Sequence, residues 1–540
     1  MTRAMFFVLY RPVAIMDAAA LGVPETFNAA TYFVDRNVVA GRGSHVAIEC
    51  GDRHITYEEL LNKVNRFGSA LRRLGVRPEE RVLLLLVDGP EFAYSFFGAI
   101  KIGAVPVPLN TLWKPPDYEY VIRDSRASVL VVTAELLPNV QAVRADARRS
   151  LRHIIVVGSA ESTHQHTVFG ALLAQGTAEL EAEPTSRDAP AFWLYSSGST
   201  GAPKGCVHLQ HDMVVCARLF GDGVLGIRQT DRTFSVAKLF FAYGLGNALY
   251  FPFSVGATTI LWPGPPAPQH VYAIIETHRP TLFYSVPTGY GMMLAHEKPG
   301  ADFDVSSIRL AVSAGEALPV SLYERFKQRF GIDIIDGIGS TEALHMFISN
   351  RPHAIRPGSS GQIVDGYDAR ILDDGGGAVA CHEIGNLWIK GDSVCAGYWN
   401  QHEKTKSTIE GHWIRTGDKY TQDEDGFYWY AGRSDDMLKV GGQWVSPIEV
   451  ESALVAHPAV LECGVIGRAD HDGLVKPIAF VVPKPGVAGT PDLAHELQQF
   501  VRDRLADYKR PRSVEFLAEL PKTATGKIQR FRLRAMAERT

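Results

Sequence analysis

Short, strongly apolar runs alternate with helical patterns along most of this chain. VLLLLV at Val82–Val87 is followed by a helical pattern that opens at Pro90 and continues to Ile102, and then by a second apolar run, VPVPL. Runs this apolar predict strands that are buried on both faces, and strand, helix, strand at this spacing is typical of a parallel βαβ unit. Further apolar runs follow at residues 128–134, 153–158, 257–262, 281–286, 308–314 and 332–337. The sequence therefore predicts an α/β fold with largely parallel sheets, in which ligands bind beyond the carboxyl ends of the strands.

A helix is predicted directly after Thr56. Thr56 and Glu59 form the pattern of a capping box, apolar residues recur on one face up to Leu74, and Gly75 supplies a stop signal. The residues before it, from 1 to about 45, show no comparable pattern. We expect them to form a partly loose arm in which residues 27–39 pack locally.

The pattern changes twice in the last third of the chain. From Arg370 onward, short strands alternate with Gly/Asp turns, which predicts a small antiparallel β unit attached to the large domain. Beyond Asp435 we expect a smaller α+β domain with helices at residues 447–456 and 493–505 and strands at 460–467 and 477–482. The predicted domains are therefore residues 1–434 and residues 435–540.

Charge and cysteine content exclude several classes of protein. The formal net charge of −4 gives no electrostatic reason to expect nucleic acid or an anionic membrane as a partner. The basic stretch Lys509–Arg534 favours a solvated face, because acidic residues precede it. Six scattered cysteines without CxxC spacing indicate neither a zinc site nor a disulfide framework, and no run approaches the ~20 apolar residues of a membrane span. We expect a cytoplasmic protein, either a monomer or a homodimer, with no nucleic-acid or membrane partner.

The segment YSSGSTGAPKG at Tyr195–Gly205 has the composition of a phosphate-binding loop. Glycines let backbone N–H groups close on an anion, hydroxyl groups add donors, and a lysine adds a positive charge. The spacing differs from the Walker pattern, because five residues separate Gly198 from Lys204 and a glycine follows the lysine. A flexible Ser/Gly-rich linker is the alternative for this segment taken alone. The candidate phosphate-binding residues are Ser196, Ser197, Gly198, Ser199, Thr200 and Lys204.

Four further segments follow this loop in a fixed order: GIGSTE (337–342), RTGD (415–418), GRSDDMLKVGGQWVSPIEVE (432–451) and PKTATGKIQR (521–530). In this combination the chain resembles the acyl-adenylate-forming superfamily of acyl- and aryl-CoA ligases, peptide-synthetase adenylation domains and firefly-type luciferases. The resemblance extends from about residue 30 to residue 535. It implies an enzyme that uses ATP, Mg²⁺ and coenzyme A to activate a carboxylic acid.

The resemblance also implies roles for particular residues. Glu342 would bind Mg²⁺, Thr341 would contact the α-phosphate, and Lys527 would bridge the attacking carboxylate and ATP during adenylation. Taken alone, each of these residues would be an ordinary exposed or turn residue. The implied nucleotide-binding residues are Gly315, Glu316, Asp336, Gly337 and Ile338 around the adenine, Asp418 at the ribose, Arg433 at the ribose or a phosphate, and Tyr430 nearby.

A second half-reaction is implied in which coenzyme A attacks the acyl-adenylate. The C-terminal domain would rotate about a hinge at Asp435 and carry Lys527 out of the site. Gly441 and Gly442 would let the pantetheine arm pass, and Trp444 would border its tunnel. A carrier protein as the thiol acceptor is the alternative within the same superfamily.

The acid is indicated by KLFFAYGLGNALYFPF (238–253) together with GIGSTEALHMF (337–347), which resemble the benzoate-CoA ligase branch. Aromatic walls suit a flat ring, and Phe240–Phe241 stand where amino-acid-activating relatives place an acidic partner for the α-ammonium. We therefore expect benzoate or a simply substituted benzoate. His345 either hydrogen-bonds a ring substituent or only closes the pocket. The implied acyl pocket consists of Ala237, Phe241, Ala242, Tyr243, Ala314, Gly337, Gly339, Leu344 and His345.

Overall fold

The computed structural model describes the chain in eight ranges. These ranges are residues 15–158, 166–196, 203–297, 302–434, 436–440, 443–469, 475–522 and 528–537, and the side chains of residues 439, 443 and 444 lie outside the description. The predicted α/β class is confirmed: parallel sheets form the larger N-terminal part, and a smaller α+β domain follows. No helix within the described ranges combines the length and apolar character that crossing a bilayer requires.

The largest sheet has nine strands, and its six central strands are parallel. Antiparallel strands close both of its edges. Two of the central strands, Leu282–Ser285 and Leu310–Ser313, are buried at every residue and mostly apolar, as the sequence predicts. A third, Arg232–Ser235, is buried at three residues although it carries Arg, Thr and Ser, and no apolar run predicted it. In spatial order the strands are Gln362–Ile363, Met346–Ser349, Ile334–Gly339, Leu310–Ser313, Leu282–Ser285, Arg232–Ser235, Thr258–Ile260, Val46–Cys50 and Arg53–Thr56.

A second sheet of five parallel strands contains the predicted βαβ unit. Its central strand Arg81–Leu85 pairs with one neighbour on each side. The order is Val105–Pro108, Arg81–Leu85, Val129–Thr133, His153–Val157 and Thr167–Val168. A third, three-stranded antiparallel sheet consists of Gly397–Tyr398, Lys204–Leu209 and Pro190–Ser196. We call the last two strands the phosphate hairpin.

Helices cover the sheets. The predicted capping box is confirmed, since the Thr56 side chain accepts from the Glu59 amide and the Glu59 carboxylate accepts from the Thr56 amide, and the helix covers Tyr57–Arg73. The other helices of the N-terminal part are Thr31–Asp35, Val38–Arg42, Pro90–Lys101, Pro115–Ser125, Ala134–Leu136, Leu137–Gln141, Ala147–Ser150, Phe169–Gln175, Asp212–Cys216, Ala217–Asp222, Ala242–Leu245, Gly246–Tyr250, Phe251–Val255, Pro268–His278, Pro287–Ala295, Val320–Phe330 and His402–Thr408.

The expectation of a loose N-terminal arm is wrong for residues 15–45. Phe33 and Val34 are fully buried in the main core, and Phe33 lies 6.1 Å from the ring centroids of both Phe97 and Tyr250. The segment carries short π-helical turns, whose period does not match the α-helical spacing of apolar residues. Its stability comes from contacts with distant residues, which a local pattern does not reveal.

The predicted small β unit is also present. Its strands are Asp368–Leu372, Gly385–Lys390, Trp413–Gln422, Ile409–Glu410 and Tyr428–Arg433, all paired antiparallel. The strand Trp413–Gln422 lies between two long neighbours and carries the RTGD segment. This places RTGD beside the GR dipeptide that ends Tyr428–Arg433.

The C-terminal domain has hydrophobic clusters of its own, which include Leu438, Val465, Phe480 and Leu497. The predicted basic tail is folded, and its cations lie beside acids: Arg530 contacts Glu451 at 2.7 Å. The predicted domain boundary at residues 434–435 precedes Leu438, the first residue of these clusters in the sequence, and stays a prediction. The elements are Leu438–Val440, Gln443–Val445, Pro447–Val455, Val460–Ala469, Val475–Pro483, Pro491–Arg502, Asp507–Lys509, Ser513–Phe516 and Arg530–Ala537.

We predict that Gly98→Ala destabilises the protein by roughly 1–3 kcal/mol through overpacking. The helices Tyr57–Arg73 and Pro90–Lys101 approach each other at Gly68 and Gly98, and a Cβ at Gly98 would lie 2.9 Å from the Val64 carbonyl oxygen. The measurement is the melting temperature of the variant and of the wild-type protein.

Gly170→Ala is the matched control. Gly170 lies in the helix Phe169–Gln175 with no atom within 4 Å of an added Cβ. Alanine there should be neutral or stabilising by up to about 1 kcal/mol. Equal melting temperatures for the two variants would contradict the close packing at Gly98.

Candidate active site

The open end of the phosphate hairpin faces the GIGSTE segment. Ser196 and Lys204 are paired residues at that end, and residues 197–202 between them lie outside the described ranges. The Ser196 hydroxyl donates to Glu342 Oε1 at 3.3 Å. Lys204 Nζ lies 4.6 Å from the centroid of the Tyr398 ring. Two segments that are far apart in the sequence, the predicted phosphate loop and the predicted metal ligand, are therefore adjacent.

Glu342 is held in place from the third strand of the same small sheet. Tyr398 donates its hydroxyl to Glu342 Oε1 at 2.8 Å, and the Cys395 amide donates to the Glu342 carbonyl at 2.7 Å. Burial, with the Glu342 charge adding to it, raises the pKa of Tyr398, so this phenol stays protonated and remains a donor. The Tyr398 ring thus contacts both the lysine of the phosphate hairpin and the candidate metal-binding carboxylate.

The donor set around Glu342 fits Mg²⁺. Mg²⁺ in phosphoryl-transfer sites is commonly held by one or two carboxylates together with substrate phosphates and water, rather than by an all-protein cage. The described residues contain no group of three or more His, Cys, Asp or Glu side chains that could hold a metal by themselves. A single carboxylate next to a phosphate-binding hairpin is consistent with the first arrangement.

The RTGD segment and the end of the neighbouring strand bring Asp418 and Arg433 together. The two residues are paired across strands, and Arg433 Nη1 lies 3.2 Å from Asp418 Oδ1. Gly417 has φ of +78°, and a Cβ there would lie 2.8 Å from Arg433 Nη2, so this position requires glycine. Tyr430 is on the same strand as Arg433, and its ring centroid lies 5.4 Å from that of Tyr420.

The candidate adenine residues lie at the carboxyl ends of two adjacent parallel strands of the large sheet. Asp336 is 7% exposed, and burial raises its pKa to about 8. Gly315 adopts φ of +89°, and its neighbour Glu316 accepts a hydrogen bond from Thr288 Oγ1 at 2.9 Å. Ile338 belongs to the edge where the sheet changes from parallel to antiparallel pairing.

The candidate acyl pocket is built by residues 237–253 and by the turn that follows Glu342. Tyr243 lies in the helix Ala242–Leu245, and its hydroxyl donates to the Val312 carbonyl at 3.1 Å. Phe241 precedes that helix, and its ring centroid lies 4.4 Å from that of Phe240. Ala237 accepts from Ser235 Oγ at 3.0 Å, and Ala314 directly follows the strand Leu310–Ser313.

His345 is the polar residue at the centre of this aromatic group. It is 2% exposed, and ring centroids of Phe251, Phe220 and Tyr243 lie 4.5, 5.1 and 5.6 Å away. Burial lowers its pKa to about 3, so the imidazole is neutral at physiological pH. Its Nε2 lies 3.1 Å from Asn247 Oδ1, which assigns the ring proton to Nε2.

Backbone geometry accounts for three small or strained residues of the pocket. An added Cβ would lie 2.5 Å from the His345 carbonyl oxygen at Gly339 and 2.6 Å from the Ile348 carbonyl oxygen at Gly337. These two glycines therefore make room for the antiparallel neighbour strand. Leu344 has φ of +67°, an arrangement that costs a non-glycine residue about 1–2 kcal/mol. The cost is consistent with a turn that is fixed by its surroundings.

Several predicted residues lie outside the description. These are Ser197, Gly198, Ser199 and Thr200 of the phosphate loop, Asp435, Gly441, Gly442 and Lys527. Trp444 has a described backbone in the strand Gln443–Val445, while its side chain lies outside the description. Their roles stay predictions.

Comparison with known proteins identifies the family. The family model described as AMP-binding enzyme matches residues 35–399, and the AMP-binding enzyme C-terminal domain matches residues 449–527. This chain belongs to the AMP-binding enzyme family. Its use of ATP and coenzyme A fits the CoA ligases of that family.

Three similar proteins of this family carry aryl-CoA ligase names. A benzoate–CoA ligase of Thauera aromatica is 49% identical over 518 residues, which are 96% of this chain and 97% of the relative. A 4-hydroxybenzoate–CoA/benzoate–CoA ligase of Rhodopseudomonas palustris is 45% identical, with 94% of each chain covered. The crystal structure of the anthranilate CoA ligase AuaEII in complex with anthranoyl-AMP has a TM-score of 0.92 and 47% identity, and the match covers 97% of this chain and 99% of that one.

Sequence reasoning missed three residues of this AMP-binding enzyme's candidate site. Tyr398 holds Glu342, Asn247 holds His345, and a Cβ at Gly246 would lie 2.5 Å from the His345 ring. Gly246 and Asn247 lie within the segment that indicated the acyl pocket, so their place in that segment is the signal that could have found them. Tyr398 lies 56 residues from Glu342 in the sequence and has no local signal.

We predict that Asp336→Asn reduces the loss of stability of the ligand-free protein at alkaline pH. The folded protein retains a proton on Asp336 up to a pH of about 8, whereas the unfolded chain releases it near pH ~4. Because the folded state binds more protons in this window, the free energy of unfolding falls as the pH rises through it. The melting temperature of both proteins from pH ~5 to ~9 is the measurement.

Asp333→Asn is the matched control. Burial acts to raise the pKa of Asp333, but hydrogen bonds from Lys327 and Tyr323 outweigh it and hold the pKa below its usual range. The stability that this carboxylate contributes is therefore already complete above the unfolded pKa, so its loss should be uniform across the same pH range. Parallel curves for wild type and Asp336→Asn would contradict the raised pKa.

Proposed function

We propose that this chain is an ATP-dependent aryl-CoA ligase that converts benzoate or a simply substituted benzoate into its CoA thioester through an acyl-adenylate. One observation carries the proposal. The short turn Thr341–His345 connects a carboxylate at the phosphate hairpin, Glu342, to a neutral imidazole inside an aromatic pocket, His345. A substrate whose carboxylate meets ATP and whose ring enters that pocket fits this arrangement.

The first step joins two anions. A carboxylate oxygen of the acid attacks the α-phosphorus of ATP, a new P–O bond forms, and the bond to pyrophosphate breaks with its electron pair leaving on pyrophosphate. Fixed positive charge and donors aimed at the phosphates are therefore the main requirement. We assign Lys204 and the hydroxyls of Ser196, Ser197, Ser199 and Thr200 to the leaving phosphates. We assign Lys527 to the attacking carboxylate and the α-phosphate.

Glu342 with its Tyr398 donor would hold Mg²⁺, which neutralises phosphate charge when it is bound. On the nucleoside side, we assign Asp418 to both ribose hydroxyls, because a carboxylate is a pure acceptor with two oxygens. Arg433, whose Nη1 lies 3.2 Å from Asp418 Oδ1, would reach the ribose or a phosphate. We assign Asp336, Gly337 and Ile338 together with Gly315 and Glu316 to the adenine.

The second step transfers the acyl group to the thiol of coenzyme A and releases AMP. We propose that the domain of residues 435–540 rotates about Asp435 between the two steps, because a few backbone dihedral angles can absorb such a motion. Gly441, Gly442 and Trp444 would then border the pantetheine arm. The residues that hold the acyl-adenylate stay in the N-terminal part.

The pocket composition supports an aromatic acid over an amino acid or a long acyl chain. Phe251, Phe220 and Tyr243 surround His345, and such ring arrangements favour a flat aromatic group. Burying an α-ammonium among them would leave an uncompensated charge at a cost of several kcal/mol. The similar proteins are named as CoA ligases, which also supports coenzyme A, rather than a carrier protein, as the acceptor.

The experiment is AMP release measured with and without coenzyme A over benzoate, 4-hydroxybenzoate, 2-aminobenzoate, phenylacetate, hexanoate and phenylalanine. We expect one of the benzoates to give the highest kcat/KM and coenzyme A to stimulate release. Equal rates without coenzyme A but stimulation by a holo carrier protein would support the carrier-protein alternative. A preference for hexanoate or phenylalanine would contradict the assignment of the pocket.

We predict that Lys527→Ala abolishes formation of benzoyl-AMP but leaves conversion of supplied benzoyl-AMP and coenzyme A to the thioester largely intact. The reason is that Lys527 is assigned to adenylation alone. Benzoate-dependent pyrophosphate exchange measures the first step, and thioester absorbance measures the second. Lys522→Ala is the control, because Lys522 forms an ion pair with Glu462 nearby and should retain both steps. Equal loss of both steps in Lys527→Ala would contradict the assignment.

A further inference from the structure

A buried histidine lies behind the turn that carries Thr341 and Glu342. His208 belongs to the strand Lys204–Leu209 of the phosphate hairpin and is fully buried. Its Nε2 lies 2.8 Å from the Thr341 carbonyl oxygen, and its Nδ1 lies 2.8 Å from Asp212 Oδ2. The ring stacks on Phe192 with centroids 5.1 Å apart and an interplanar angle of 20°. Stacking and two polar contacts therefore fix both the plane and the rotation of this imidazole.

Both partners of His208 accept hydrogen bonds. A carbonyl oxygen cannot donate, so Nε2 carries a proton. Asp212 Oδ2 also accepts from the Leu209 amide at 3.1 Å. The Asp212 carboxyl therefore contacts both the His208 ring and the backbone of the next residue in the strand.

Asp212 has a second histidine near its other oxygen. His211 Nε2 lies 3.3 Å from Asp212 Oδ1, and His211 Nδ1 lies 2.9 Å from the Arg187 carbonyl oxygen. Burial acts to lower the pKa of His211, but the charges of Asp212 and Asp392 outweigh it and leave the pKa raised. The Asp212 carboxyl therefore lies between the two imidazole rings.

The Thr341 carbonyl oxygen accepts hydrogen bonds from two donors, the first of which is His208 Nε2. It also accepts from the Leu344 amide at 3.1 Å, and this hydrogen bond closes the turn in which Leu344 has its positive φ. The same peptide unit leads into Glu342, whose side chain contacts the phosphate hairpin. Fixing this one oxygen therefore fixes the backbone that leads to Glu342 and the turn that leads to His345.

We propose that His208 is a positioning residue, whose Nε2–H holds the Thr341 carbonyl and so orients Thr341 and Glu342 for adenylation. The proposal rests on the function assigned above to those two residues. His208 is assigned no contact with substrate. Because ATP and benzoate bind through many other groups, loss of the hydrogen bond should lower kcat for adenylation more than it raises KM.

The two nitrogens of His208 can be tested separately with two neutral amides. The amide nitrogen of glutamine reaches the position of Nε2, so His208→Gln retains a donor to Thr341 and loses the contact with Asp212. The amide nitrogen of asparagine reaches the position of Nδ1, so His208→Asn retains the contact with Asp212 and leaves Thr341 without its side-chain donor. Both variants remove the imidazole ring and its stacking on Phe192.

The readout is benzoate-dependent pyrophosphate exchange, with kcat and KM measured separately and the melting temperature recorded for each variant. We expect kcat of His208→Asn to be about tenfold or more below that of His208→Gln, with similar melting temperatures and KM values. Equal kcat values, or a higher kcat for His208→Asn, would overturn the proposal and assign His208 a purely structural role.

Either single variant can fail to fold because Asp212 stays buried with fewer partners. The same comparison is then made with Asp212→Asn added to each, which removes the buried carboxyl group along with the imidazole. The order of the kcat values is expected to persist, and its reversal would overturn the proposal. Failure of the proposed function is a separate result, since the wild-type protein itself would then show no benzoate-dependent exchange.

Discussion

The hydrogen bonds that hold the turn Ser340–His345 are the constraint on which the site depends. Donors from two segments converge on it: Tyr398 in the strand Gly397–Tyr398 and Cys395 just before that strand, and His208 in the strand Lys204–Leu209. Most of these groups are buried, where a hydrogen bond is electrostatically stronger and an unpaired polar group is costly. A turn held in this way has one arrangement, and that arrangement determines the distance between the phosphate side and the acyl side of the site.

Much of the fold was predictable, because parallel strands that are covered on both faces must be apolar along their whole length. Arg81–Leu85 and Val129–Thr133 are such strands, and their runs stand out in the sequence. The segment of residues 15–45 was not predictable, because its π-helical turns give no α-helical period and Phe33 packs against residues far along the chain. The spacing of apolar residues along the sequence predicts burial only in regular helices and strands.

The candidate site, like the fold, contains residues that the sequence indicates and residues that only the assembled structure reveals. Glu342, Asp418 and the phosphate loop lie in compact motifs that resemble those of a known superfamily, so the sequence proposes roles for them, and those roles stay predictions. Tyr398 and His208 act through residues 56 and 133 positions away, and their contacts exist only once the sheets have assembled. A tyrosine or a histidine in an apolar stretch is usually a core residue, so the sequence alone offers no reason to select these two.

The two sides of the turn differ in charge, and in the proposed function this difference would orient the substrate. On the phosphate side, Lys204 Nζ lies 4.6 Å from the Tyr398 ring, so an anionic group bound there would have a cation close by. On the acyl side, burial lowers the pKa of His345 so that its imidazole is neutral, and burial raises the pKa of Tyr243 so that its phenol stays protonated. A carboxylate that entered the aromatic pocket first would lose its hydration without gaining a charged partner at these two residues. We therefore propose that the ring enters the pocket and that the carboxylate stays at the end assigned to ATP.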